Sequence, residues 1–160
     1  MREIKIPIGR SGFADIRKNG YYYIDKSRLI RELLRTEGRE VTLITRPRRF
    51  GKTLSMSMLS EFFDIRRESR ELFAGLFIAG EKSLCENWMN QYPTIFLSFK
   101  SVDGLDFAKA YEKLTAVFSD LYKEHLYLME SKKLDPFSRE LFCQVASQKA
   151  ARGVLLEKFQ

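Results

Sequence analysis

Val41-Thr42-Leu43-Ile44-Thr45-Arg46-Pro47-Arg48-Arg49-Phe50-Gly51-Lys52-Thr53 is the stretch on which the reading of this chain turns. Its first five residues are β-branched or apolar and read as a buried strand over 41–45. A short basic loop follows. Gly51-Lys52-Thr53 then opens a helix expected from Lys52 to about Asp64, with Leu54, Met58, Leu59, Phe62 and Phe63 at helical spacing. Strand, loop and Gly-Lys-Thr helix start together suit a nucleoside triphosphate. A helix N-terminus presents unpaired N–H groups and a partial positive charge to phosphate. In a phosphate loop the Lys reaches the terminal phosphates and the Ser/Thr hydroxyl ligates Mg²⁺, which assigns those two tasks to Lys52 and Thr53. The candidate cradle is Arg49, Phe50, Gly51, Lys52, Thr53 and Leu54.

The full pattern G-x-x-x-x-G-K-[ST] places its first glycine at position 46, where this chain has Arg46. Gly-Lys-Thr alone is a weak signal, and its plain alternative is a strand-to-helix turn whose Lys52 is simply solvated.

Outward from this segment, residues 1–20 carry Pro7, Gly9, Gly12 and Gly20 and read as an extended lead-in with turns. Tyr21, Tyr22, Tyr23 and Ile24 form a strand-like run whose rings would either pack as an edge strand or stack on a base. Asp25 can cap a helix from about Lys26 to Thr36, closed by Gly38. An apolar connector (72–80) and a short helix (83–91) follow, and 94–99 reads as a further strand after Pro93. A long helix should begin near Asp106, and Asp135-Pro136 has the N-cap and N1 signature of another, with Phe137, Leu141, Phe142 and Val145 on its buried side. Strands alternating with helices predict an α/β fold: a phosphate-loop NTPase-like parallel sheet with flanking helices.

Arg46-Pro-Arg-Arg-Phe-Gly-Lys-Thr-Leu54 resembles the phosphate loop of the AAA-ATPase-like family of bacterial proteins, in which an arginine-led loop stands where the glycine-led one is usual. The stretch from Phe13 to Lys26, which includes Asp25 and Lys26, and Tyr92-Pro-Thr-Ile-Phe-Leu-Ser-Phe99 resemble it too. The resemblance implies binding of ATP with Mg²⁺ and an ATPase in the full-length form. Family members commonly add a C-terminal PD-(D/E)XK-type nuclease domain, of which nothing is seen in this sequence.

The resemblance also implies an acidic pair on a strand after the long helical region, to hold Mg²⁺ and polarise water. Residues 154–157 are too short for it. Residues 1–160 then read as the N-terminal portion of such a domain, with an incomplete sheet, no assignable catalytic residue and poor solution behaviour on their own. Lys100 follows the strand at 94–99, and Asp103 beyond it sits in a turn signal, so neither supplies the metal acid.

Composition bounds the alternatives. The chain has 160 residues, 44% hydrophobic and 31% charged, which is globular rather than disordered. No apolar run approaches the ~20 residues that cross a membrane, and a cytoplasmic location is expected. Cys85 and Cys143 are too few for a disulfide framework and read as buried or half-buried free thiols. His125, the single histidine, lacks partners at metal-ligand spacing and reads as a helix-surface or core-edge residue. The net charge of +7 and pI near 9.5 favour polyanionic partners. Arg46, Arg48, Arg49 and Lys52 crowd one loop, while Arg2, Lys5, Arg10, Arg17 and Lys18 read as a solvated face. A second reading is therefore a non-catalytic fragment or basic interaction module for nucleic acid or a partner protein. The sequence does not fix an oligomeric state.

Overall fold

The computed structural model describes residues 4–35, 41–45, 47 and 49–149. They fall into two compact units, Met1–Phe96 and Leu97–Gln160, each with its own core.

In the first unit, α1 (Phe13–Lys18) lies inside the stretch expected to be extended and buries Phe13 and Ile16. Helix α2 (Arg28–Arg35) buries Ile30. Helix α3 (Lys52–Phe63) buries Ser55, Met58 and Phe62, positions three and four apart that share one face. The connector expected at 72–80 is two 3₁₀ turns, Arg70–Phe73 and Phe77–Gly80, followed by α4 (Lys82–Trp88). The rings of Tyr23, Phe13, Phe73 and Phe62 form a chain through the core with centroid separations of 5.3, 4.8 and 5.4 Å. Such aromatic contacts favour tilted and edge-on geometry.

Polar bonds fix this core's edges. Ser57 Oγ accepts the Phe13 N–H (3.0 Å), joining α1 to α3. Arg17 donates from Nε to the Leu72 carbonyl and from Nη2 to the Ala74 carbonyl, both at 2.7 Å. Asn90 closes the far end of α3: its Nδ2 donates to the Glu61 and Asp64 carbonyls (3.0 and 2.9 Å) and its Oδ1 accepts the Ser69 N–H (3.0 Å). Asp64 is fully buried and ion-paired with Arg66 at 2.6 Å. Burial works to raise its carboxyl, but the Arg66 side-chain and backbone bonds outweigh it and hold the group below its ordinary value.

The second unit is a pair of helices, α5 (Phe107–Glu124) and α6 (Pro136–Ala146), closed around Phe118, Leu121 and Val145. Both start as the sequence predicts. Asp106 accepts the Lys109 N–H at 2.9 Å, and Asp135 accepts the Ser138 N–H at 3.0 Å with Pro136 in the first turn. Phe142 is buried as expected, whereas Phe137 is exposed. Cys143 is an exposed free thiol and Cys85 a half-buried one.

The α/β expectation is overturned. Among the described residues there is no strand and no sheet, only helices, 3₁₀ turns and one isolated parallel bridge between Asp64 and Tyr92. The segments 41–45, 21–24 and 94–99 make no ladder. Central parallel strands are covered on both faces, yet Val41 and Leu43 are 82% and 83% exposed and Ile95 is 68% exposed. Their β-branched composition satisfies a strand's local preference, but a strand also needs neighbours to take its N–H and C=O groups. The phosphate-loop NTPase-like parallel sheet is therefore not the architecture of this structure. Gly38 and the stretch 150–160 lie outside the described residues.

Candidate functional site

The N-terminus of α3 is open. Gly51 stands at its N-cap position in the left-handed region (φ 76°, ψ 28°), no side chain caps it, and the first turn holds no acid. The Gly51 carbonyl already accepts the Ser55 N–H at 2.9 Å, so the helix proper begins there. A positive φ at 51 suits glycine, which has no Cβ to clash; Arg49, also at positive φ (69°), is the less usual case.

This helix end borders an open cleft of about 820 Å³, within the ~300–1,000 Å³ of small-molecule sites. Four cationic residues, Arg10, Lys26, Arg49 and Lys52, lie among its described lining, and no carboxylate does. Arg10 is paired with Asp15 at 2.7 Å. The helix pole is itself positive and so disfavours cations nearby. Positive charge gathered in a concave site favours anions.

All six sequence-predicted cradle residues line this cleft. Arg49, Phe50, Lys52 and Thr53 are exposed, and Gly51 is half-buried. Leu54 packs its side chain against the core of the first unit and so anchors the helix start. Arg46 and Arg48 lie outside the described residues.

Sequence reading passed over two members of the cleft. By sequence Arg10 reads as part of a solvated face. Lys26 stands out only as part of the Asp25-Lys26 pair. Its Nζ donates to the Phe50 carbonyl at 2.9 Å, and a Cβ at position 51 would fall 2.7 Å from it. The three tyrosines have separate tasks. Arg10 lies 4.8 Å over the Tyr21 ring, Tyr22 is an exposed residue of the cleft, and Tyr23 donates to Met58 Sδ at 3.2 Å, its phenol pushed above the ordinary value by burial.

Asp25 makes an Asx-type turn rather than a simple helix cap. Its Oδ1 accepts the Ser27 N–H (2.8 Å) and its Oδ2 the Phe77 N–H (2.7 Å). Burial tends to raise this carboxyl; the bonds from Phe77 and Ser27 prevail and lower it.

Among the described residues no group of three His, Cys, Asp or Glu could hold a metal ion. His125 is buried, with Nδ1 3.3 Å from the Tyr127 hydroxyl. Asp103 is tied to Lys113, which holds its carboxyl below the ordinary range. No helix among the described residues is long and apolar enough to cross a membrane.

Residues 7–156 match the AAA-ATPase-like family, described as "Predicted AAA-ATPase". The chain belongs to the AAA-ATPase-like family. The matched span contains the whole α3 helix start and the Asp25-Lys26 segment of this AAA-ATPase-like chain, and membership suggests use of a nucleotide and a metal. An uncharacterised protein from the vnfD 5′ region of Azotobacter chroococcum mcd 1 is 36% identical over 100 residues, which cover 62% of this chain and 18% of that protein. No solved structure matches the chain.

Proposed function

We propose that this AAA-ATPase-like chain binds a nucleoside triphosphate, ATP with Mg²⁺, in the cleft at the N-terminus of α3. One observation carries the reading: an uncapped helix start bordered by Lys26, Arg49 and Lys52, with no carboxylate among the described lining residues. Phosphate oxygens would take N–H groups between Arg49 and Leu54, and Lys52 would reach the terminal phosphates.

The donor set fits the nucleotide better than the metal. Thr53 offers one exposed hydroxyl, so Mg²⁺ would arrive with the phosphates, whose charge it would offset, and take Thr53 as its protein ligand. ATP is preferred to GTP because the sequence holds no guanine-reading Asn-Lys-x-Asp motif. What we propose is binding: no carboxylate stands among the described lining residues to orient a water.

The net charge of +7 supports a second reading, in which the basic surface binds nucleic acid. Titration of a fluorescent ATP analogue with Mg²⁺ into the chain and into Lys52→Ala separates the two. The first reading expects saturable binding that the variant loses and unlabelled ATP displaces. Equal binding by both proteins, or displacement by DNA but not by ATP, would sink it.

A further inference from the structure

We propose that Lys26 is a positioning residue of the phosphate loop: by holding the Phe50 carbonyl it sets the peptide plane that aims the Gly51 N–H. The inference rests on reading this cleft as a phosphate site.

The geometry is specific. Lys26 Nζ donates to the Phe50 carbonyl at 2.9 Å. The Phe50–Gly51 peptide is trans and planar, so its C=O and N–H point in opposite directions, and fixing one fixes the other. Gly51, whose N–H this peptide carries, has φ 76°, and Arg49, the residue before Phe50, has φ 69°. Next to glycine, alternative peptide orientations are easily reached. A charge-assisted bond, stronger than a neutral one, selects among them.

Position 51 is glycine for two reasons, and Lys26 supplies the second. The positive φ is one. The other is contact: an added Cβ would stand 2.7 Å from Lys26 Nζ and 3.9 Å from its Cε. A side chain there would push the ammonium off the Phe50 carbonyl.

Lys26 also has a firm base. On one side Asp25 accepts N–H groups from Ser27 and Phe77; on the other, the fully buried Ser27 accepts the Ile78 N–H at 3.1 Å. The residues flanking Lys26 are thereby pinned to the 3₁₀ turn Phe77–Gly80, while the lysine side chain reaches the Phe50 carbonyl. An ammonium beside a helix N-terminus opposes the helix dipole, an arrangement that a bound polyanion relieves.

The test uses the full chain. Lys26→Met removes the charge and the bond at similar volume; Lys26→Arg retains both. Two quantities are read: the Gly51 amide position in ¹H–¹⁵N spectra of the ligand-free protein, and affinity for a fluorescent ATP analogue with Mg²⁺. Lys26→Met should move the Gly51 peak and weaken binding by about tenfold, the loss expected from one hydrogen bond to a charged group. Lys26→Arg should restore both. Because Gly51→Ala already displaces the ammonium, adding Lys26→Met to it should change affinity by less than about twofold, a non-additive pair.

An unmoved Gly51 peak and unchanged affinity in Lys26→Met, with binding abolished in Lys52→Ala, would overturn the role of Lys26 and leave the phosphate site standing. A moved peak in a protein that binds no nucleotide would sustain the hold of Lys26 on the loop and overturn the phosphate reading instead.

Discussion

Replacing Asn90 by alanine should destabilise the first unit by about 3–5 kcal/mol, a large fraction of a domain's total stability. The side chain makes three hydrogen bonds, to the Glu61 and Asp64 carbonyls and from the Ser69 N–H, all between 2.9 and 3.0 Å. Each contributes about 1 kcal/mol net, and a buried donor left without an acceptor adds about 1–3 kcal/mol. Ser69 is 1% exposed, so its N–H is such a donor. Asn90 also sits at φ 56°, where alanine costs about 1–2 kcal/mol relative to a residue at ease in the left-handed region. Relaxation and water entry reduce the total. Asn90→Gly keeps the backbone freedom and loses only the side-chain bonds, so it should be about 1 kcal/mol milder than Asn90→Ala.

Trp88, the single tryptophan, lies two residues away and stacks on Tyr92 at 5.1 Å, which makes its fluorescence the natural probe of equilibrium urea unfolding. A loss below about 1 kcal/mol at unchanged m-value, or equal losses for alanine and glycine, would refute the reasoning.

Three further outcomes are expected. Asp64 and Asp25 both have carboxyls held below the ordinary value of 3.8, so their contribution to stability is complete above that value and fades as pH falls through the lower folded one; Asp64→Asn should flatten the acid limb of a stability–pH curve measured by urea unfolding, and an unchanged acid limb would contradict this. Phe13→Ala empties a fully buried site between the Phe73 and Tyr23 rings, and should cost about 3–5 kcal/mol in the same assay; a cost under 1 kcal/mol would mean that this core is loosely packed. In the second unit, Asp135→Ala removes the cap of α6 and should cost about 1 kcal/mol, read as a lower melting temperature that Asp135→Ser largely restores.

The helices were legible where the sequence carried a local stop or start. Asp106 and Asp135-Pro136 announce α5 and α6, because a cap bonds to N–H groups two or three residues away and needs nothing else from the fold; α3 is announced by Gly51 and by the apolar residues at helical spacing behind it. The strands expected at 41–45 and 94–99 do not form. Val41, Leu43 and Ile95 have strand-like composition, but a sheet exists only where a second segment accepts its hydrogen bonds, and no local pattern reports that partner.

The site divides in the same way. Spacing singles out Lys52 and Thr53 as candidates, and both line the cleft. Lys26 reaches Phe50 across 24 positions, and Asn90 reaches Asp64 across 26. Such contacts are set by packing, so the sequence could mark Asp25-Lys26 but not say what the lysine holds.

The most direct test of the anion site at the α3 helix start is to add ATP with Mg²⁺ to the ¹⁵N-labelled chain and map the amide shifts. The account predicts that the largest changes fall on residues 49–54, saturate with nucleotide, and vanish in Lys52→Ala. Saturable shifts centred elsewhere, or none at millimolar ATP, would contradict it.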